Sequence, residues 1–102
     1  MAESGKVDEG FWKRADAYIH LANSQADEAT PNEVNGSQMY AAARYGAFVV
    51  TSEAPDLESL KAAKAQALEY FTAQFRKMLE DNLDDHIANY DQHFGRRKRG
   101  PA

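Results

Sequence analysis

The sequence predicts an all-α fold, an antiparallel three-helix bundle with a long third helix, and three observations carry that prediction. Alanine supplies 18 of the 102 residues, and glutamate, lysine and leucine add further helix formers. Val, Ile and Thr together total nine, too few to build a sheet. Pro31 and Pro55 divide the chain into three stretches, each carrying apolar residues at three-and-four spacing.

The first helix is expected to start near Asp8 and run to about Ala29, where Thr30 and Pro31 stop it. On a helical wheel Phe11, Ala15, Tyr18, Ile19, Ala22 and Ala26 share one face, and Asp16, His20, Asn23 and Asp27 share the opposite one. The second helix is expected over 36–54. Asn35 would cap it with Gln38 as the reciprocal partner, and Val34 would staple onto Met39. Between Met39 and Val50 its only charge is Arg44, with apolar residues pointing several ways, which predicts burial on more than one side.

Asp56, after Pro55, is the expected cap of a third helix over 56–94. Its stripe runs through Leu57, Leu60, Lys64, Ala67, Leu68, Phe71, Phe75, Met78, Asn82, His86 and Tyr90, widened by Leu79, Leu83, Ile87 and Phe94. The stripe drifts round the wheel as a repeat nearer 3.5 than 3.6 residues would, suggesting coiled-coil-like packing in its later part. The cluster Asp81, Asn82, Asp84 and Asp85 is where a bend or break would fall, but the stripe keeps its phase across it and continuity is the expectation. Residues 1–94 therefore read as one helical domain, and 95–102 as a disordered basic tail.

Charge and composition narrow the function. The net charge is -4, but Arg96, Arg97, Lys98 and Arg99 are four of the 12 basic residues, so the body ahead of them carries 8 basic against 16 acidic, or -8. The absence of cysteine removes disulfides, thiolate metal sites and cysteine nucleophiles. No stretch approaches the roughly 20 apolar residues of a membrane span. The start reads as polar and acidic rather than as a secretion signal, so a cytoplasmic location without membrane contact is expected. There is no Gly-rich phosphate loop, and no Ser-His-Asp set can be assembled from three histidines in separate contexts. The Glu-x-x-His step of a di-iron bundle is missing, since Leu83, Ala17 and Tyr90 stand three before His86, His20 and His93. The face Asp16, His20, Asn23 and Asp27 reads better as solvated helix than as a cation site. No catalytic residue, cofactor or metal is therefore assigned, and an enzyme is not expected.

The order of certain strings is distinctive: Phe11, Arg14-Ala15-Asp16, Ile19 and Leu21-Ala22-Asn23; Tyr40-Ala41-Ala42-Ala43-Arg44 with Ala47-Phe48; Leu68-Glu69-Tyr70-Phe71, Met78-Leu79 and Asn82-Leu83-Asp84-Asp85. Over roughly Phe11 to Tyr90 it resembles a family of short bacterial proteins known as domain of unknown function 3144. Gly46 departs from the larger polar residue expected there, and the basic tail lies outside the match. The resemblance implies a small helical bacterial protein and brings no activity, cofactor or catalytic residue with it.

Candidate partner- or ligand-binding residues are Tyr40, Arg44, Asn82, Asp85 and His86. A guanidinium in an apolar helix must find a carboxylate or reach water. For Arg44 that means either an anion or partner-carboxylate site beside Tyr40, or, the favoured reading, an ion pair with Asp16, Asp84 or Asp85. Asn82 and His86, four apart on the apolar stripe, can bond each other or a facing helix and so specify register. His86 beside Asp85 also has the chemistry of a proton-transfer group or metal ligand. Homodimerisation is expected through Tyr45, Phe48 and Val49 with part of the stripe from Phe75 to Tyr90. The leading functional expectation is a non-enzymatic protein-interaction or regulatory module that self-associates. The alternative is nucleic-acid association through Arg96 to Arg99, whose cations could meet phosphates but carry no base-reading information.

Overall fold

The structure, a computed structural model, describes residues 8–94. Four helices follow one another: α1 (Phe11–Gln25), α2 (Pro31–Glu53), α3 (Leu57–Ala88) and the single turn α4 (Tyr90–Phe94). No strand occurs among the described residues. The fold is all-α, with three main helices and a long third one, as composition and spacing predicted. The expected tail of Arg96, Arg97, Lys98 and Arg99 lies outside the described residues.

The chain divides into two units, residues 1–49 and 50–102. In the first, α1 begins at Phe11, three residues later than expected. The Asp8 carboxylate takes the Gly10 N–H at 2.9 Å and pairs with the Arg14 guanidinium at 2.8 Å, so Asp8 belongs to a turn that enters the helix. The Arg14 bond, with the Gly10 N–H, holds the Asp8 carboxyl below the ordinary aspartate range. At its far end α1 stops at Gln25, earlier than the expected Ala29. There the Ala26 N–H turns back to the Asn23 carbonyl at 3.2 Å, the tighter spacing typical of a closing turn.

The start of α2 corrects the sequence reading. Thr30 and Pro31, predicted to stop α1, open α2. The Glu33 N–H donates to the Thr30 hydroxyl at 3.1 Å, while the Thr30 N–H donates to the Glu33 carboxylate at 2.9 Å, a reciprocal capping box. Pro31 occupies the first helical position, where its missing N–H costs nothing. Asn35 and Gln38 are consequently interior helical residues, not cap partners. Val34, in the first turn, is the one buried hydrophobic residue among those described.

In the second unit, α2 ends at Glu53 ahead of Pro55, and Asp56 caps α3 as predicted, its carboxylate accepting the Ser59 N–H at 2.8 Å. That N–H pulls the Asp56 carboxyl below its usual range. α3 then continues for 32 residues, about 48 Å at 1.5 Å per residue, through Asn82 without interruption. The interruption comes later than the acidic cluster, at Asn89, whose backbone leaves the helical region (φ -116°, ψ 33°) before α4.

Candidate functional site

The second helix carries the first group of candidate residues, and it is exposed where burial was expected. Tyr40 is 65% exposed, Tyr45 66% and Phe48 59%, with Val49 half-buried. This corrects the expectation of a helix covered on several sides: the large apolar side chains of α1 in the same unit, Trp12, Tyr18, Ile19 and Leu21, are themselves exposed, and Phe11, Ala15 and Ala22 are only half-buried. The Tyr45 and Phe48 rings sit 5.6 Å apart at 41°, giving α2 an aromatic patch one turn long.

Arg44 lies one turn beyond Tyr40 and is also exposed, so the expected demand for a partner carboxylate does not arise within this unit. Asp16 is exposed on α1, and among the described residues of this unit Arg14 pairs with Asp8. Asp84 and Asp85, the other expected partners, belong to α3 in the second unit. The surface notch beside the helix break is lined by Ile87 to Gln92 and does not include Tyr40 or Arg44.

On α3 the polar residues of the stripe bond to their own helix. The Asn82 amide donates to the Met78 carbonyl at 2.7 Å, and the His86 Nδ1 lies 2.8 Å from the Asn82 carbonyl, each reaching back one turn. Asp85 accepts from the Asn89 amide at 3.0 Å. Over the last turns of α3, His86 is thus linked to Asn82, and Asp85 to Asn89. Asn89 was missed by sequence reasoning, although an asparagine near a helix end is a recognisable stop signal.

The apolar part of the stripe is bare along most of the helix. Leu68 is 56% exposed, and Phe71, Phe75, Met78, Leu79 and Leu83 are exposed as well. Chemically, α3 offers a long hydrophobic strip with amide, imidazole and carboxylate groups towards one end. Among the described residues no three His, Cys, Asp or Glu side chains are grouped so as to hold a metal, and no helix is long and apolar enough to cross a membrane.

Comparison with known proteins gives a family without an activity. No curated protein matches the chain. The NMR structure of the protein NB7890A from Shewanella sp is similar, with a TM-score of 0.72 and 32% sequence identity, over 87% of this chain and 95% of that one. The model of the family described as protein of unknown function (DUF3144) matches residues 11–87, and the chain belongs to that family.

Proposed function

We propose that this protein is a non-enzymatic, self-associating interaction module of the bacterial cytoplasm, with a regulatory role exercised through binding rather than chemistry. The observation that carries this reading is the set of large apolar side chains standing in water on α2 and α3, against a single buried one, Val34, among the described residues. Exposed apolar surface arranged in continuous strips marks protein-interaction sites in soluble proteins. Tyr45, Phe48 and Val49 form one such site and the α3 stripe the other. Aromatic side chains of this kind supply much of the binding energy at protein interfaces. The similarity to a bacterial protein and the family membership are compatible with this reading and assign no competing activity.

Self-association makes the apparent mass depend on concentration. Sedimentation or light scattering from low to high micromolar protein is expected to show the mass rising toward that of a dimer. A mass fixed at that of one chain across the range overturns the reading.

A further inference from the structure

We propose that the exposed stripe of α3 binds the α3 of a second copy of this chain, antiparallel, in a register centred on Ala73. This rests on the self-association reading and adds to it the helix, the direction and the register. The occupant is identified by charge. From Leu57 to Lys77, α3 holds four basic residues (Lys61, Lys64, Arg76, Lys77) and two acidic ones (Glu58, Glu69). From Met78 to Ala88 it holds four acidic residues (Glu80, Asp81, Asp84, Asp85) and no Lys or Arg. A helix basic toward one end and acidic toward the other is complementary to itself only when reversed. The opposed helix dipoles favour the same direction.

The register follows from the stripe. Centred on Ala73, the antiparallel pair sets Phe71 opposite Phe75 and Leu68 opposite Met78, each from one copy against the other. Moving outward, Lys64 meets Asn82, and then Lys61 meets Asp85. Every one of these positions continues the same alternation of three and four residues, the seam of a left-handed coiled coil. The four apolar side chains at the centre are exposed in the single chain and become the dry middle of the interface. Lys61 and Asp85 are exposed too. Lys61 lies 3.5 Å from Glu58, and Asp85 accepts from Asn89, so both charged groups are held near the helix surface. A parallel pair would instead place Lys61 and Lys64 against their own copies, and Asp85 against its own. That arrangement sets like charges together at both ends of the seam.

Two measurements on the full chain test this. The protein has no cysteine, so Leu68→Cys and Met78→Cys can be introduced without background. Ten residues separate them, about 15 Å along the helix, too far for a bridge within one copy. Under oxidation the double variant is expected to form a covalent dimer, and each single variant is not. Efficient bridging by the single variants would indicate parallel helices and overturn the proposal.

The second measurement exchanges charges. Lys61→Asp and Asp85→Lys are each expected to weaken the dimer about tenfold, since each spoils two symmetry-related contacts. The double variant is expected to recover to within a few-fold of the original, with circular dichroism confirming unchanged helicity in all three. Twenty-four residues separate Lys61 and Asp85 on one helix, about 36 Å, so rescue within a copy is not available. A dimer without rescue or bridging overturns this interface and leaves the self-association reading standing. A monomer under all conditions overturns both.

Discussion

Thr30 and Asn35 separate two accounts of where α2 begins. The Thr30 hydroxyl satisfies the Glu33 N–H, whereas Asn35 sits inside the helix with its backbone already paired in the helical ladder. Thr30→Ala is expected to cost about 1 kcal/mol of stability, the usual value of a lost cap. Asn35→Ala should cost nothing, since alanine is the better interior helix former. Equal destabilisation in thermal melts would place the cap where the sequence alone had put it. Asp56 adds a pH dependence. Its carboxyl has a lower pKa in the folded protein than in the unfolded chain, so its contribution is complete above the ordinary aspartate value, about 3.9, and disappears as pH falls through the lower folded value. Asp8, lowered by Arg14, acts with the same sign. In melts followed by circular dichroism, Asp56→Ala should lower the melting temperature at pH 7 and have little effect near pH 2. An equal loss at both pH values would contradict the carboxylate's role.

At the scale of the element, α3 shows which features of a helix are local. Asp56 as cap, the start at Leu57 and continuity through Asn82 all agree with the sequence reading, because each depends on neighbours within four residues. Asn82 lies in the acidic cluster where a bend or break would fall, but its amide bonds back to Met78 and the helical ladder runs on. The break at Asn89 escaped notice because the apolar spacing continues to Tyr90 across it. Two side-chain bonds hold that residue: its amide donates to the Asp85 carbonyl at 3.1 Å and to the carboxylate at 3.0 Å. Asn89→Ala removes both and raises helix propensity, so α3 and α4 are expected to join into one helix. Backbone chemical shifts of residues 88–92 would report it. An unchanged break at residue 89 would mean that something other than the asparagine sets it.

For the whole molecule the decisive quantity is how little apolar surface is covered among the described residues. Ordering a residue costs about 1–2 kcal/mol in backbone entropy alone, and apolar burial is the main term that offsets it. Val34 is a small return for helices of this length, which is why partner burial is central to the proposed function. Replacing Tyr45 and Phe48 together by serine is expected to raise the dimer dissociation constant at least tenfold with helicity retained. Burying one such aromatic is worth about 1.5–3 kcal/mol, and 1.4 kcal/mol is a factor of ten. Sedimentation equilibrium measures the constant. A value within twofold of the original would remove the α2 patch from the interface while leaving α3 available to it.

The sequence by itself determined the helical class, the three main helices, the Asp56 cap and the heptad-like stripe of α3, since all are governed by composition and by contacts at most one turn away. It also carried the family resemblance, which the match over residues 11–87 bears out. The start of α2 at Pro31 is local in the same sense, set by the Thr30–Glu33 bonds of a Thr-x-x-Glu capping box that the sequence also spells out. Tertiary structure decided that Arg44 and the α2 aromatics face water. An apolar face records that it needs covering, but which surface covers it depends on the shape and charge of everything that can meet it.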